Sequence, residues 1–210
     1  MKRIFLLVIF YLIANASFAQ KSLLQCSLQK NKILKEVFLN GQPDSAAIAK
    51  LVAAVNEWSG CIVGKPIPRF KEKTMAGEKI DNEFIKGKIA VINFWFIACP
   101  PCVAEIPGFN RAVYEFKDSN VVFLAFSTDS KSELKDFLAK TGFDFTVIPG
   151  SEVANSAFGI SERPITFIID PGGKVSTGWV GGETGSRAAE EAYWKVKRGI
   201  EKLLSNPSMP

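Results

Sequence analysis

The chain has 210 residues, of which 47% are hydrophobic and 22% charged, with a formal net charge of +5. That composition fits one globular domain of ordinary size plus an extension, and so mild and dispersed a basic excess argues against nucleic acid as a partner. There are four cysteines and no histidine. A zinc site would therefore need all four cysteines or carboxylates, and no metal is expected.

Residues 1–19 read as a secretory signal peptide. Lys2 and Arg3 form a basic start, Ile4 to Ala14 form an apolar run too short to span a bilayer, and Ser17-Phe18-Ala19 offers small residues at a cleavage site before Gln20. The alternative is an uncleaved N-terminus that anchors the chain in the inner membrane. Either way the expected location is the periplasmic side, an oxidising compartment.

Residues 20–62 read as a helical extension. Leu23, Leu24, Leu28, Ile33, Leu34, Val37 and Phe38 have helical spacing, and Asn40-Gly41-Gln42-Pro43-Asp44 is a break. Asp44 or Ser45 can cap a second helix with a stripe of Ile48, Leu51, Val52, Val55 and Trp58, stopped at Gly60. Cys26 and Cys61 flank this hairpin and are candidates for a structural disulfide, although spacing alone does not fix connectivity. Closing such a loop would stabilise by about 4 kcal/mol on a chain-entropy account.

Residues 63–205 carry alternating strand and helix signals. Gly64 to Phe70 is an extended linker, and Phe70–Met75 with Lys79–Asp81 suits a β-hairpin. Lys88 to Ile97 is an apolar run fit for a strand buried on both faces. A helix with Val103, Ile106 and Phe109 follows, with Pro107 inside it. Val121–Ser127 is a second apolar strand. Ser130 and Glu133 form a capping box for a helix that stops at Gly142. Phe145–Ile148, Ile165–Ile169 and Lys174–Val180 read as strands. Ser151–Phe158 reads as a short helix, and a last helix runs from about Ser186 to Leu204, leaving residues 206–210 as a tail. Such alternation implies right-handed crossovers and a partly parallel central sheet.

The chemistry-bearing stretch is Cys99-Pro100-Pro101-Cys102, placed where the buried strand feeds a helix. That context reads as a thioredoxin-like redox motif. The helix start favours a thiolate at Cys99, and Cys102 lies one turn further in, on the same face. Haem attachment would need a histidine after the second cysteine, and Val103 stands there. Glu105 follows Cys102 by three residues, one helical turn. A carboxyl in a partly apolar cleft should have a raised pKa and could relay a proton to Cys102.

Asn93-Phe94-Trp95, the Cys99–Cys102 motif, Glu105, Arg163-Pro164 with the strand to Asp170, and Gly173-Lys174 together resemble the TlpA/ResA-type thiol–disulfide oxidoreductases. These are exported members of the thioredoxin superfamily. The resemblance covers roughly residues 63–205 and leaves the helical extension outside. It implies an α/β thioredoxin-like fold: a central mixed sheet flanked by helices, an N-terminal β-hairpin and, here, an extra helical hairpin. Residues 121–148 resemble the family's insertion. By position, Cys99 matches the attacking cysteine, Cys102 the resolving one, and Pro164 a cis-proline facing the disulfide. The backbone of Arg163 would pair with an extended substrate peptide. Trp95, Ala98, Pro100 and Pro101 complete the expected substrate rim. Asn93 stands where ordinary thioredoxins have a buried acid, and Glu105 matches the family's substitute for it. One departure is Ala98, where the family usually has Trp; Phe96 and Trp95 are left to supply that surface.

The implied activity is reduction of disulfides in exported proteins, with apocytochrome c thiols among the family's substrates. A membrane electron donor would restore the dithiol, and no cofactor is implied beyond the redox-active disulfide. The alternatives are a disulfide oxidant or isomerase, and a non-catalytic interaction protein using the helical hairpin. Copper-delivering relatives use a histidine, which this chain lacks.

Overall fold

Two helices open the computed structural model, which describes residues 21–39, 41–182, 184–185 and 187–205. The expected leader over 1–19 and the tail over 206–210 lie outside the described residues. Helices α1 (Leu23–Leu39) and α2 (Ser45–Ile62) pack as a hairpin. The Asp44 side chain caps α2 by accepting from the Ala47 amide at 2.8 Å. Gly60 does not stop α2, which runs on to Ile62; Ile62 is fully buried, and that burial draws the last turn onto the sheet. Cys26 and Cys61 are joined by a disulfide with Cα atoms 5.9 Å apart.

The buried faces of these helices differ from the apolar stripes read in the sequence. On α2 the packed residues are Ala54, Trp58 and Ile62, while Ile48 and Val52 are exposed. On α1, Leu28 and Phe38 are exposed, while Ser27 and Lys30 are buried. Polar residues occupy the inner face because partners await them. Trp58 Nε1 donates to Ser27 Oγ at 3.2 Å, and Lys30 pairs with Glu162.

The linker after α2 pairs with the sheet: Gly64 and Ile67 amides bond to the carbonyls of Val175 and Gly173. Strands β1 (Lys71–Lys73) and β2 (Lys79–Asp81) form the antiparallel hairpin, followed by a one-turn helix α3 (Asn82–Ile85) capped by Asp81. The main sheet contains β3 (Ile89–Trp95), β4 (Val121–Ser127), β5 (Thr146–Ile148), β6 (Ile165–Ile169) and β7 (Val175–Val180), in the order β5-β4-β3-β6-β7. β3 is parallel to β4 and antiparallel to β6. Helices α4 (Pro100–Glu115), α5 (Lys131–Thr141), α6 (Glu152–Phe158) and α7 (Arg187–Leu204) connect or flank these strands. The Ser130–Glu133 capping box is formed at α5. Within 121–148, β4 lies beside the central β3, and β5, reached through α5, is the edge strand outside it.

All seven residues of β3 are buried. Their alternation sorts them between two cores. Ile89, Val91 and Trp95 join Ile106 and Phe109 of α4 and Val196 and Ile200 of α7. Ala90, Ile92 and Phe94 join Phe158, Phe167 and, from the helical hairpin, Trp58 and Ile62. The extension therefore completes the second core. The Trp58 ring meets Phe167 edge-on at 5.8 Å.

Candidate redox site

β3 delivers the chain to the turn Phe96-Ile97-Ala98, and α4 begins immediately after it. The turn is held by Asp129, whose carboxylate accepts from the Ile97 amide at 2.8 Å and from Ser127 Oγ at 2.7 Å. Cys99 is the N-cap of α4, with extended backbone, and its Sγ accepts from the Cys102 amide at 3.3 Å. Pro100 and Pro101 fill the first helical positions, where a missing N–H costs little. They also leave Cys102 as the first residue of α4 with an amide to direct at the sulfur. Cys99 and Cys102 are joined by a disulfide, their Cα atoms 5.3 Å apart. Cys99 is 5% exposed and Cys102 2%, so the pair sits in a shallow pit with Cys99 at its mouth.

Glu105 lies one turn deeper on α4 and is 2% exposed. Its Oε2 has no hydrogen-bond partner. Gly182, just after β7, presses its backbone onto this carboxyl: a methyl group there would stand 2.2 Å from Glu105 Oε1. Burial pushes the Glu105 pKa up to about 8. Lys195 of α7 opposes that rise and Glu191 adds to it. The two form an ion pair at 2.5 Å, so the lysine's charge is partly engaged already. Around neutral pH Glu105 is therefore mostly a neutral acid, one turn from Cys102 and able to give or take a proton.

Asn93 is also buried, but its amide spans the ladder, donating to Thr166 Oγ1 at 3.0 Å. It cannot titrate. The Arg163–Pro164 bond is cis. β3 and β6 pair with Phe94 opposite Ile165. One step further along that register, Pro164 faces Trp95, at the end of β3 from which the cysteine turn departs. Pro164 is buried, and its carbonyl accepts from the Gly181 amide at 2.7 Å.

The rim is Phe96, Ala98, Pro100, Pro101 and Arg163; Ala98 and Pro100 are exposed and the other three partly so. The Arg163 guanidinium stands over the Phe96 ring at 5.7 Å, a cation–π contact. Trp95 is not part of this rim. It is fully buried, packed on Phe137 at 5.6 Å and Phe143 at 5.3 Å. It sits on the Val91 face of β3 and floors the site from within rather than standing on its exposed rim. Asp129 and Gly182 escaped the sequence reading. Asp129 could have been suspected from the turn after β4, whereas nothing local marks Gly182.

Comparison with known proteins agrees with this geometry. The model of the AhpC/TSA family matches residues 63–177. The chain is 32% identical over 124 residues to "Thiol-disulfide oxidoreductase ResA" of Bacillus thuringiensis (strain Al Hakam), covering 58% of this chain and 72% of that protein. It is 31% identical over 121 residues to "Thioredoxin-like protein YneN" of Bacillus subtilis (strain 168), covering 56% and 71%. A crystal structure of a thiol:disulfide interchange protein of the thioredoxin family from Chlorobium tepidum TLS superposes with a TM-score of 0.53 at 26% identity, covering 64% of this chain and 95% of that one. The hairpin α1–α2 precedes the span matched by the family model.

Proposed function

This chain belongs to the AhpC/TSA family and is a ResA-type thiol–disulfide oxidoreductase of the thioredoxin superfamily, and from that membership we propose that it reduces disulfides of exported proteins through the Cys99–Cys102 dithiol. The observation that carries the direction of electron flow is the buried, mostly neutral Glu105 one turn below the pair. A strong disulfide oxidant owes its potential to a stabilised reduced form. Here a carboxyl with no room for a second negative charge lies beneath the thiols, and two prolines remove amides that would otherwise steady a thiolate. Both features weaken stabilisation of the reduced form and favour a reductant.

The reaction runs as two exchanges. Cys99 thiolate attacks one sulfur of the substrate disulfide; a mixed disulfide forms and the first substrate thiolate leaves. Cys102, its proton released to solvent or taken by the minor ionised fraction of Glu105, attacks the Cys99 sulfur and expels the second substrate thiolate. Two electrons have then passed to the substrate, and the protein holds the Cys99–Cys102 disulfide. A dithiol carrier at the membrane returns it to the reduced state by the reverse exchanges. The substrate's extended backbone lies along Arg163, beside Pro164, with Ala98, Pro100 and Pro101 framing the cysteine.

Export is supported by the leader-like residues 1–19 and by the Cys26–Cys61 disulfide, which suits an oxidising compartment. No helix among the described residues is long and apolar enough to cross a membrane. Equilibration of the Cys99–Cys102 couple with glutathione tests the direction. A potential more negative than about −230 mV supports a reductant, and one near about −120 mV assigns an oxidant instead.

A further inference from the structure

The segment that leads into the cis-proline is gripped from outside the family-matched span. Lys30 on α1 has a fully covered side chain and pairs with Glu162, the residue before Arg163. Its ammonium also stands 5.2 Å from the centre of the Trp58 ring. One residue on, Asn31 Nδ2 donates to the Gly159 carbonyl at 3.0 Å. Gly159 closes α6 with φ +68°, and a Cβ there would meet Ser27 Cβ at 2.7 Å. α1 thus lies directly on residues 159–162, with the Ser27 and Leu24 side chains against the Gly159 backbone.

An ion pair with one partner fully covered and the other, Glu162, 19% exposed is a weak source of stability, since desolvation offsets the attraction, but it penalises any arrangement that parts the two charges. It therefore fixes position more than it adds strength. Attachment of the hairpin has another source: Trp58 against Phe167, and Ile62 against Gly178 of β7. Those contacts are apolar and come from α2. The polar contacts from α1, Lys30–Glu162 and Asn31–Gly159, both land on the segment before Arg163–Pro164. The Cys26–Cys61 bond, one turn from Lys30, holds α1 on α2 while it does so.

We propose that Lys30 is a positioning residue for substrate recognition: through Glu162 it holds the Arg163–Pro164 segment where a protein disulfide docks beside Cys99. This rests on the reading of the chain as a reductase of protein disulfides. The helical hairpin is then a working part of the substrate edge.

The test compares two substrates in steady-state assays of the full chain with dithiothreitol as reductant. One is a short peptide closed by a single disulfide, which can use the Arg163 backbone. The other is hydroxyethyl disulfide, which cannot. Lys30→Met should raise KM for the peptide about tenfold. It should leave turnover of the small disulfide and the Cys99–Cys102 potential unchanged. The swapped pair Lys30→Glu with Glu162→Lys should recover part of the peptide KM. Unchanged peptide KM overturns the inference, and so does an equal loss on both substrates, which would mark a merely structural role. Should Lys30→Met not fold, Asn31→Ala, which removes one part-buried hydrogen bond, is read by the same criteria. If the unaltered protein turns over neither substrate, the reductase reading itself fails, and the inference falls with it.

Discussion

The backbone amide of Cys102 points at the sulfur of Cys99 across 3.3 Å, and the two residues between them are prolines that carry no amide hydrogen. In the reduced protein this single amide and the dipole of α4 act on Cys99, while Cys102 faces the buried Glu105 side of the helix. Cys99 should be the more acidic thiol. Alkylation of the reduced protein at mildly acid pH, followed by mass mapping, should find the label on Cys99 first. Faster labelling of Cys102 would reverse the assigned roles.

Removing the resolving thiol should freeze the reaction midway. Cys102→Ser leaves Cys99 able to attack but gives the mixed disulfide no internal exit. Thiol-trapping in cells should recover covalent partners from this variant and none from Cys99→Ser. Recovery from the Cys99→Ser protein alone would contradict the order of attack.

Glu105→Gln keeps size and shape while deleting the titrating group. Exchange with a disulfide peptide should slow on the order of 100-fold, the usual loss for a removed general acid or base. The pH profile between 6 and 9 should also lose the inflection that belongs to Glu105, near its pKa of about 8. A variant with the wild-type rate and profile would reduce Glu105 to packing.

The same group should leave a mark on stability. Folded Glu105 holds its proton up to about 8, whereas the unfolded chain releases it near the ordinary value of 4.5. Between those pH values the native state binds more protons than the unfolded state, so its stability falls as pH rises. The contribution is complete below about 4.5 and gone above 8. Denaturant titrations of oxidised wild type and Glu105→Gln should diverge across this window by a few kcal/mol, roughly the span implied by such a shift, with the Gln variant free of the decline. Parallel curves would mean that Glu105 is ionised in the fold.

Much of this molecule is legible along the chain. The buried strand ending at Trp95, the cysteine helix, the Ser130–Glu133 box and the β-hairpin all declare themselves through short-range spacing, and each recurs in the structure. Contacts between distant residues do not declare themselves. Lys30 and Glu162 lie far apart in sequence, and a lysine amid leucines reads as solvated until a glutamate is found opposite it. Gly182 is silent for the same reason, since only its distance to Glu105 gives it meaning. Trp95 misleads in another way. A strand buried on both faces has no polar alternation to say which side is which, and the tryptophan that reads as rim is floor. The helical hairpin misleads through excess, because Ile48, Val52 and Leu28 make plausible stripes that the packing leaves in solvent.

The span matched by the family model begins at residue 63, one residue after Ile62 completes the core beneath Phe94 and Phe167. A chain begun there would keep both redox cysteines and lose Leu23, Cys26, Trp58 and Ile62 from that core. Phe167, which Trp58 meets edge-on, and the β7 surface at Gly178 beneath Ile62 would then open to water as an apolar surface prone to self-association. Such a fragment should express as aggregate, or bind hydrophobic dyes as a soluble oligomer, whereas the chain from residue 21 should stay dispersed. A monodisperse fragment from residue 63 with wild-type thermal stability would show that the hairpin's cover is dispensable for solubility.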